Sequence, residues 1–148
     1  MQNELAIPIK LDVWQDPQGD IILHSSGRDC FVYFGCWDDE SNPCDYIARI
    51  SFNGCIASKY IHSQFLNYKV EEHNFHSYIL SIQNSSWVKQ VAENEKRIYG
   101  DRAIDYSLYL HYVVQGHDVY VEIIAKEFTL TKIYRHEAGD IVRLIDEA

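Results

Sequence analysis

Basic residues are scarce in this chain. Thirteen Lys and Arg stand against twenty-two Asp and Glu, which gives a net charge of −9 over 148 residues. A phosphate backbone repels such a surface, so nucleic acid is not an expected partner. Long apolar runs are also missing. No stretch approaches the roughly 20 residues that span a bilayer, so no transmembrane helix and no membrane partner are expected. The opening Met1-Gln2-Asn3-Glu4 lacks the basic start and apolar core of a signal peptide, and the expected location is the cytoplasm.

Cysteine is sparse. Cys30, Cys36, Cys44 and Cys55 form no Cys-x-x-Cys pair, so the usual plan of a structural zinc site has no foothold. A disulfide needs an oxidising compartment, and nothing in the sequence directs the chain to one. Cys30 and Cys36 lie in apolar text and read as small buried hydrophobes, while Cys44 follows Asn42-Pro43 in a loop. The glycine-rich phosphate loops, the Gly-x-Ser-x-Gly elbow and His-Glu-x-x-His are all absent. No cofactor is expected.

What is present is a core. Hydrophobic residues make up 47% of the chain, enough for one domain over residues 1–148 without metal or disulfide help. Leu5, Ile7, Ile9, Leu11 and Val13 alternate with more polar neighbours, which marks a half-buried strand, and Pro8 suggests an edge. Further strands are expected at Ile21–His24, Cys30–Trp37, Tyr78–Ile82 and Phe128–Tyr134. Asn53-Gly54 between Tyr46–Phe52 and Cys55–Tyr60 reads as a type I′ hairpin. Residues 61–77 carry no clear period.

One helix stands out. Asn84-Ser85-Ser86 offers capping oxygens, and Trp87, Val88, Val91, Ala92, Glu95, Ile98 and Tyr99 recur at helical spacing up to Gly100. A second short helix is expected over 140–148. The fold class is therefore α+β: a curved, mainly antiparallel sheet of about six to eight strands with one main amphipathic helix, about 86–99, packed on it.

The hairpin Tyr106–Val114 and Val119–Lys126 yields a specific geometry. With Gly116-His117 as a two-residue type II′ turn, His111 faces Glu122 across the strands. Leu108, Leu110, Tyr112 and Val114 then share a core face with Val119, Val121, Ile123 and Ala125. Tyr109, His111 and Val113 share the other with Tyr120, Glu122 and Ile124. A carboxylate beside an imidazole orients the ring, so His111 and Glu122 with Tyr109 and Tyr120 form the candidate acid/base group.

Two other constellations carry possible chemistry. His73 and His76 follow Glu71-Glu72 and could sit on one face of a helix as metal ligands, although no third ligand is fixed by spacing. Asp38, Asp39, Glu40 and Asp45 form an acidic cluster without the ligand pattern of an EF-hand. The charge is uneven: residues 1–50 hold nine acidic and three basic residues. The cluster therefore reads as a docking patch for a basic protein partner. A homodimer is also compatible with an exposed first strand.

Ser85-Ser86-Trp87 opening a helix, His111-Tyr112, Gly116-His117-Asp118 and Glu122-Ile123-Ile124-Ala125 together resemble small bacterial proteins without an assigned activity. The resemblance implies a bacterial source and transfers no functional residue. The acidic, aromatic-rich composition is similar to that of bacterial immunity proteins, which neutralise toxins. It implies a binding module, and the alternative is a small-molecule or enzymatic site built on His111 and Glu122 in the concavity of the sheet.

Overall fold

A computed structural model describes residues 3–147. It is an α+β structure with mainly antiparallel pairing, as the sequence predicts. The strands divide between two sheets. Six of them, β1 (Leu5–Lys10), β6 (Ala57–Ile61), β7 (Lys69–Val70), β8 (Tyr78–Gln83), β9 (Leu110–Gln115) and β10 (Tyr120–Ala125), run in the order β6-β10-β9-β8-β1-β7. The other five are β2 (Trp14–Gln15), β3 (Ile22–Ser26), β4 (Asp29–Trp37), β5 (Pro43–Asn53) and β11 (Glu127–Tyr134). They run β11-β5-β4-β2, with β3 also on β4. The alternating pattern of Leu5–Val13 therefore breaks after Lys10, and the chain crosses to the second sheet at Trp14. Pro8 lies beyond the short pairing with β7, which covers only Leu5 and Ala6, so its missing N–H costs no ladder bond on that side.

The inner faces of the two sheets meet in one core. Val32, Phe34, Ile50 and Phe52 from one sheet pack against Ile79, Tyr112, Val114, Val121 and Ile123 from the other. The Phe52 and Tyr112 rings are 5.5 Å apart, and those of Tyr112 and Phe128 5.4 Å. Cys36 is buried here, and loss of water with the nearby Cys44 pushes its thiol up to about 12.

Asn53-Gly54 does make a corner, but not a hairpin. β5 pairs with β4 and β11, and β6 leaves to pair with β10 in the other sheet. Gly54 takes φ +65°, while Asn53 does not adopt the positive φ that type I′ would need. Only the corner itself and the positive φ of Gly54 agree with the expected turn. Cys30 of β4 and Cys55 at this corner form a disulfide, with Cα atoms 6.1 Å apart. The expectation of free thiols at both positions is thus corrected: burial in one core brings the two sulfurs together across 25 residues.

The main helix, α1 (Ser86–Tyr99), matches its expected span and ends at Gly100, φ +58°. It lies on the outer face of the six-stranded sheet, where Trp87, Val88, Val91 and Ala92 pack against Tyr106, Tyr109 and Ile124. The aperiodic stretch between β6 and β8 covers the rest of that face: Leu66 and Tyr68 pack on Leu80, Val113 and Tyr120. The second helix, α2 (Asp140–Glu147), buries Ile145 over Gly35 on the five-stranded sheet. No helix among the described residues is long and apolar enough to cross a membrane.

Candidate functional site

The hairpin of β9 and β10 carries the site, with one correction to its register. Gln115 pairs with Tyr120, and residues 116–119 form the loop. His111 therefore faces Ile124, and Glu122 faces Val113. Gly116 is not in the positive-φ region, so the type II′ turn does not form. The loop is held by partners from the turn between β2 and β3: the His117 amide donates to the Gly19 carbonyl at 3.1 Å and the Asp118 amide to the Asp20 carboxylate at 2.7 Å. Gly116 suits this approach, since a Cβ would crowd the Ile21 nitrogen at 3.1 Å.

The slip is two residues, and side chains alternate with period two, so faces are preserved. His111 and Glu122 stay on one face and meet diagonally, Nε2 to Oε1 at 2.8 Å. The expected core face holds from Tyr112 to Ala125, but Leu108 is 62% exposed and Leu110 46%. Tyr106–Leu108 is a 3-10 turn instead of strand, which rotates Leu108 out of the sheet alternation.

His111 and Glu122 are buried, by α1 on one side and the segment before β8 on the other. Both ring nitrogens are engaged. Nδ1 lies 2.6 Å from the hydroxyl of Ser85, the residue that caps α1. The Val88 amide donates to the same Ser85 oxygen at 3.1 Å. Tyr68 donates its hydroxyl to Glu122. With the His111 proton placed on Nε2, the chain runs in one direction: Val88 N–H to Ser85, Ser85 O–H to Nδ1, Nε2–H to Glu122. The edges of Trp87 and Tyr68 enclose the imidazole, with ring centres 5.1 and 5.7 Å away.

The electrostatics follow from these contacts. Burial works against the charge of Glu122, but hydrogen bonds from His111 and Tyr68, with the positive field of His111 and Lys59, outweigh it and hold the carboxyl below its ordinary value. Lys59 stands opposite Glu122 in the β6–β10 register, its ammonium 4.0 Å from the centre of the Trp87 ring. Burial and the adjacent carboxylate push the Tyr68 hydroxyl well above its ordinary value, so it remains a donor.

The two tyrosines expected beside the pair go separate ways. Tyr109 lines a cleft of about 460 Å³ together with Ser85, Val88, Lys89, Leu110 and His111. Tyr120 instead packs with Leu80 and Val113 in the neighbouring apolar cluster. Sequence reasoning missed Tyr68, which comes from the aperiodic segment, and saw Ser85 only as a cap. The signal for Ser85 was its place between a strand and a helix, where Asn84 takes φ +58° and turns the chain sharply.

The other expected groups are dispersed or structural. His73 packs edge-on against Tyr78 and His76 stacks on Trp14. Among the described residues no group of three or more His, Cys, Asp or Glu is placed to hold a metal ion. Asp38 is a loop organiser: its Oδ1 accepts from the amides of Glu40 and Asn42, each at 2.9 Å. Asp39, Glu40 and Asp45 face solvent around it.

No family model, curated protein or solved structure matches the chain.

Proposed function

We propose that the protein is a small acidic binding module of the immunity type, docking on a basic protein partner through the corner formed by Asp38, Asp39, Glu40 and Asp45. The observation that carries this reading is the internal bracing of the corner. Asp38 donates its backbone amide to the Asn42 carbonyl at 2.8 Å and accepts the two amides described above. The neighbouring carboxylates are thus displayed on a fixed frame at the end of the β4–β5 pair, so little ordering entropy is lost on docking. A net charge of −9 adds long-range attraction for a cation-rich surface.

The test is an association rate. The variant D39N/E40Q/D45N leaves the Asp38 turn intact. With a panel of cationic proteins that includes basic nucleases as the probe, the expected result is at least a tenfold slower association at low ionic strength. High salt should erase the difference, since screening removes the steering. Equal rates for wild type and variant at low salt remove the corner from the reading.

A cytoplasmic location is proposed with it, and the Cys30–Cys55 pair makes that testable. In that location cellular reductants should open the Cys30–Cys55 bond, so protein isolated with thiols blocked at lysis should show both cysteines alkylated. A bonded pair assigns an oxidising compartment instead.

A second reading, a small-molecule site using His111 and Glu122, is favoured by the cleft that reaches His111. In the resting arrangement Ser85 and Glu122 hold both ring nitrogens, so Nδ1 can exchange a proton with a ligand only after the Ser85 hydroxyl has given up its own. Ser85, the hydroxyl partner of that imidazole, lines the same cleft.

A further inference from the structure

We propose that Ser85 is a nucleophile and that the cleft beside it accepts small carboxylic esters. Three observations converge on this serine. Its hydroxyl lies 2.6 Å from Nδ1 of a buried histidine whose Nε2 is 2.8 Å from a buried carboxylate. That carboxylate is itself anchored by Tyr68 and favoured in its charged form. Ser85, His111 and Val88 line the same cleft of about 460 Å³, which has room for a short acyl group against Ile82, Val88 and Leu110. Serine, histidine and carboxylate thus stand in hydrogen-bond sequence, the arrangement that activates a hydroxyl for acyl transfer. The two ring nitrogens exchange their more common roles: Nδ1 serves the serine and Nε2 the carboxylate. The chemistry depends on roles and geometry, not on which nitrogen is used.

The steps balance with water as co-reactant. The Ser85 oxygen attacks the ester carbonyl as its proton passes to His111 Nδ1. Glu122 stabilises the resulting imidazolium through Nε2–H. The tetrahedral intermediate collapses, the bond to the alcohol oxygen breaks, and that oxygen takes the proton from Nδ1. Water then attacks the acyl-serine, giving its proton to Nδ1. Release of the acid returns that proton to the serine oxygen. Ester and water become acid and alcohol, with no change of oxidation state. The positive end of the α1 dipole lies at Ser85, so the negative charge of a tetrahedral intermediate formed on that serine is favoured. Ser86 plays no part: its amide and hydroxyl are held by Glu4 at 3.0 and 3.2 Å.

A fluorophosphonate probe tests this directly, because it phosphonylates an activated serine and leaves an adduct that peptide mass spectrometry locates. In the wild-type protein the adduct is expected on Ser85. Ser85→Asn keeps a capping oxygen and so preserves the helix start, but it lacks the hydroxyl and should not label. Ser86→Ala should label like wild type. His111→Gln should slow labelling by on the order of 100-fold or more, the usual worth of a general base. Turnover of p-nitrophenyl acetate should be lost in Ser85→Asn and kept in Ser86→Ala. Absence of a wild-type adduct overturns the proposal, as does an adduct on another residue or equal labelling of Ser85→Asn. None of these outcomes bears on the acidic corner, which lies on the other sheet.

Discussion

On β10, Ile123 points between the sheets and its neighbour Glu122 points outward beneath α1, and both are buried. The inner face achieves this mainly with hydrocarbon. Phe34, Ile50, Phe52, Val121 and Ile123 exclude water by area, and none depends on a particular partner atom. The outer face buries a carboxylate and an imidazole and must satisfy each polar atom in turn, from Val88 through Ser85 and His111 to Glu122 and Tyr68. The first arrangement tolerates small shifts in position. The second fixes a serine oxygen, an imidazole and a carboxylate within hydrogen-bond distance, at the risk of a large loss if one member is removed.

That contrast can be broken from either side. Phe34→Ala should cost the most, about 4 kcal/mol of unfolding free energy by denaturant titration, because it leaves a cavity in a filled core. Its dependence on pH should match wild type. His111→Ala should cost about 3 kcal/mol, chiefly because Glu122 is left buried with too few partners. Replacing both members, as in His111→Leu with Glu122→Leu, should recover part of that loss. A double variant worse than His111→Ala would show that the outer face cannot be rebuilt from hydrocarbon.

The pH profile sharpens the comparison further. Glu122 has its folded value held below the ordinary 4.5. Its contribution to stability is therefore present in full above that ordinary value and fades as pH falls through the lower folded value. Glu122→Gln should flatten stability over that acid window while leaving the rest of the curve parallel to wild type. The smallest effect belongs to the helix start. Ser85→Ala should cost about 2 kcal/mol, from the lost cap and the unpaired His111 nitrogen, and Ser85→Asn less, since asparagine still caps.

The sequence made the outer face partly legible. The His111–Glu122 pairing survived a wrong turn assignment because a slip of two residues returns every side chain to its own face. Helix α1 was legible in span and cap because both signals lie within a few residues of one another. Tyr68 was not, since residues 61–77 have no period that would place one side chain under a strand 54 residues later. The corner at Asn53-Gly54 shows the same limit. Its turn residues act locally, whereas the choice of β4 and β11 as neighbours of β5 depends on a core assembled from the whole chain. The division of the strands into two sheets was hidden for that reason.

The long edge strand β11 has a consequence for the order of events during synthesis. It is the last strand in chain order among the described residues, yet it pairs with β5 along its full length, from Glu127 opposite Asn53 to Tyr134 opposite Tyr46. Glu127 emerges 74 residues after its Asn53 partner. Until then the edge of β5 away from β4 has no neighbour, and it offers its unpaired amides and carbonyls to any strand in reach. A nascent chain stalled before residue 127 should therefore be the form most prone to pair wrongly, and chaperones would meet this protein at that stage.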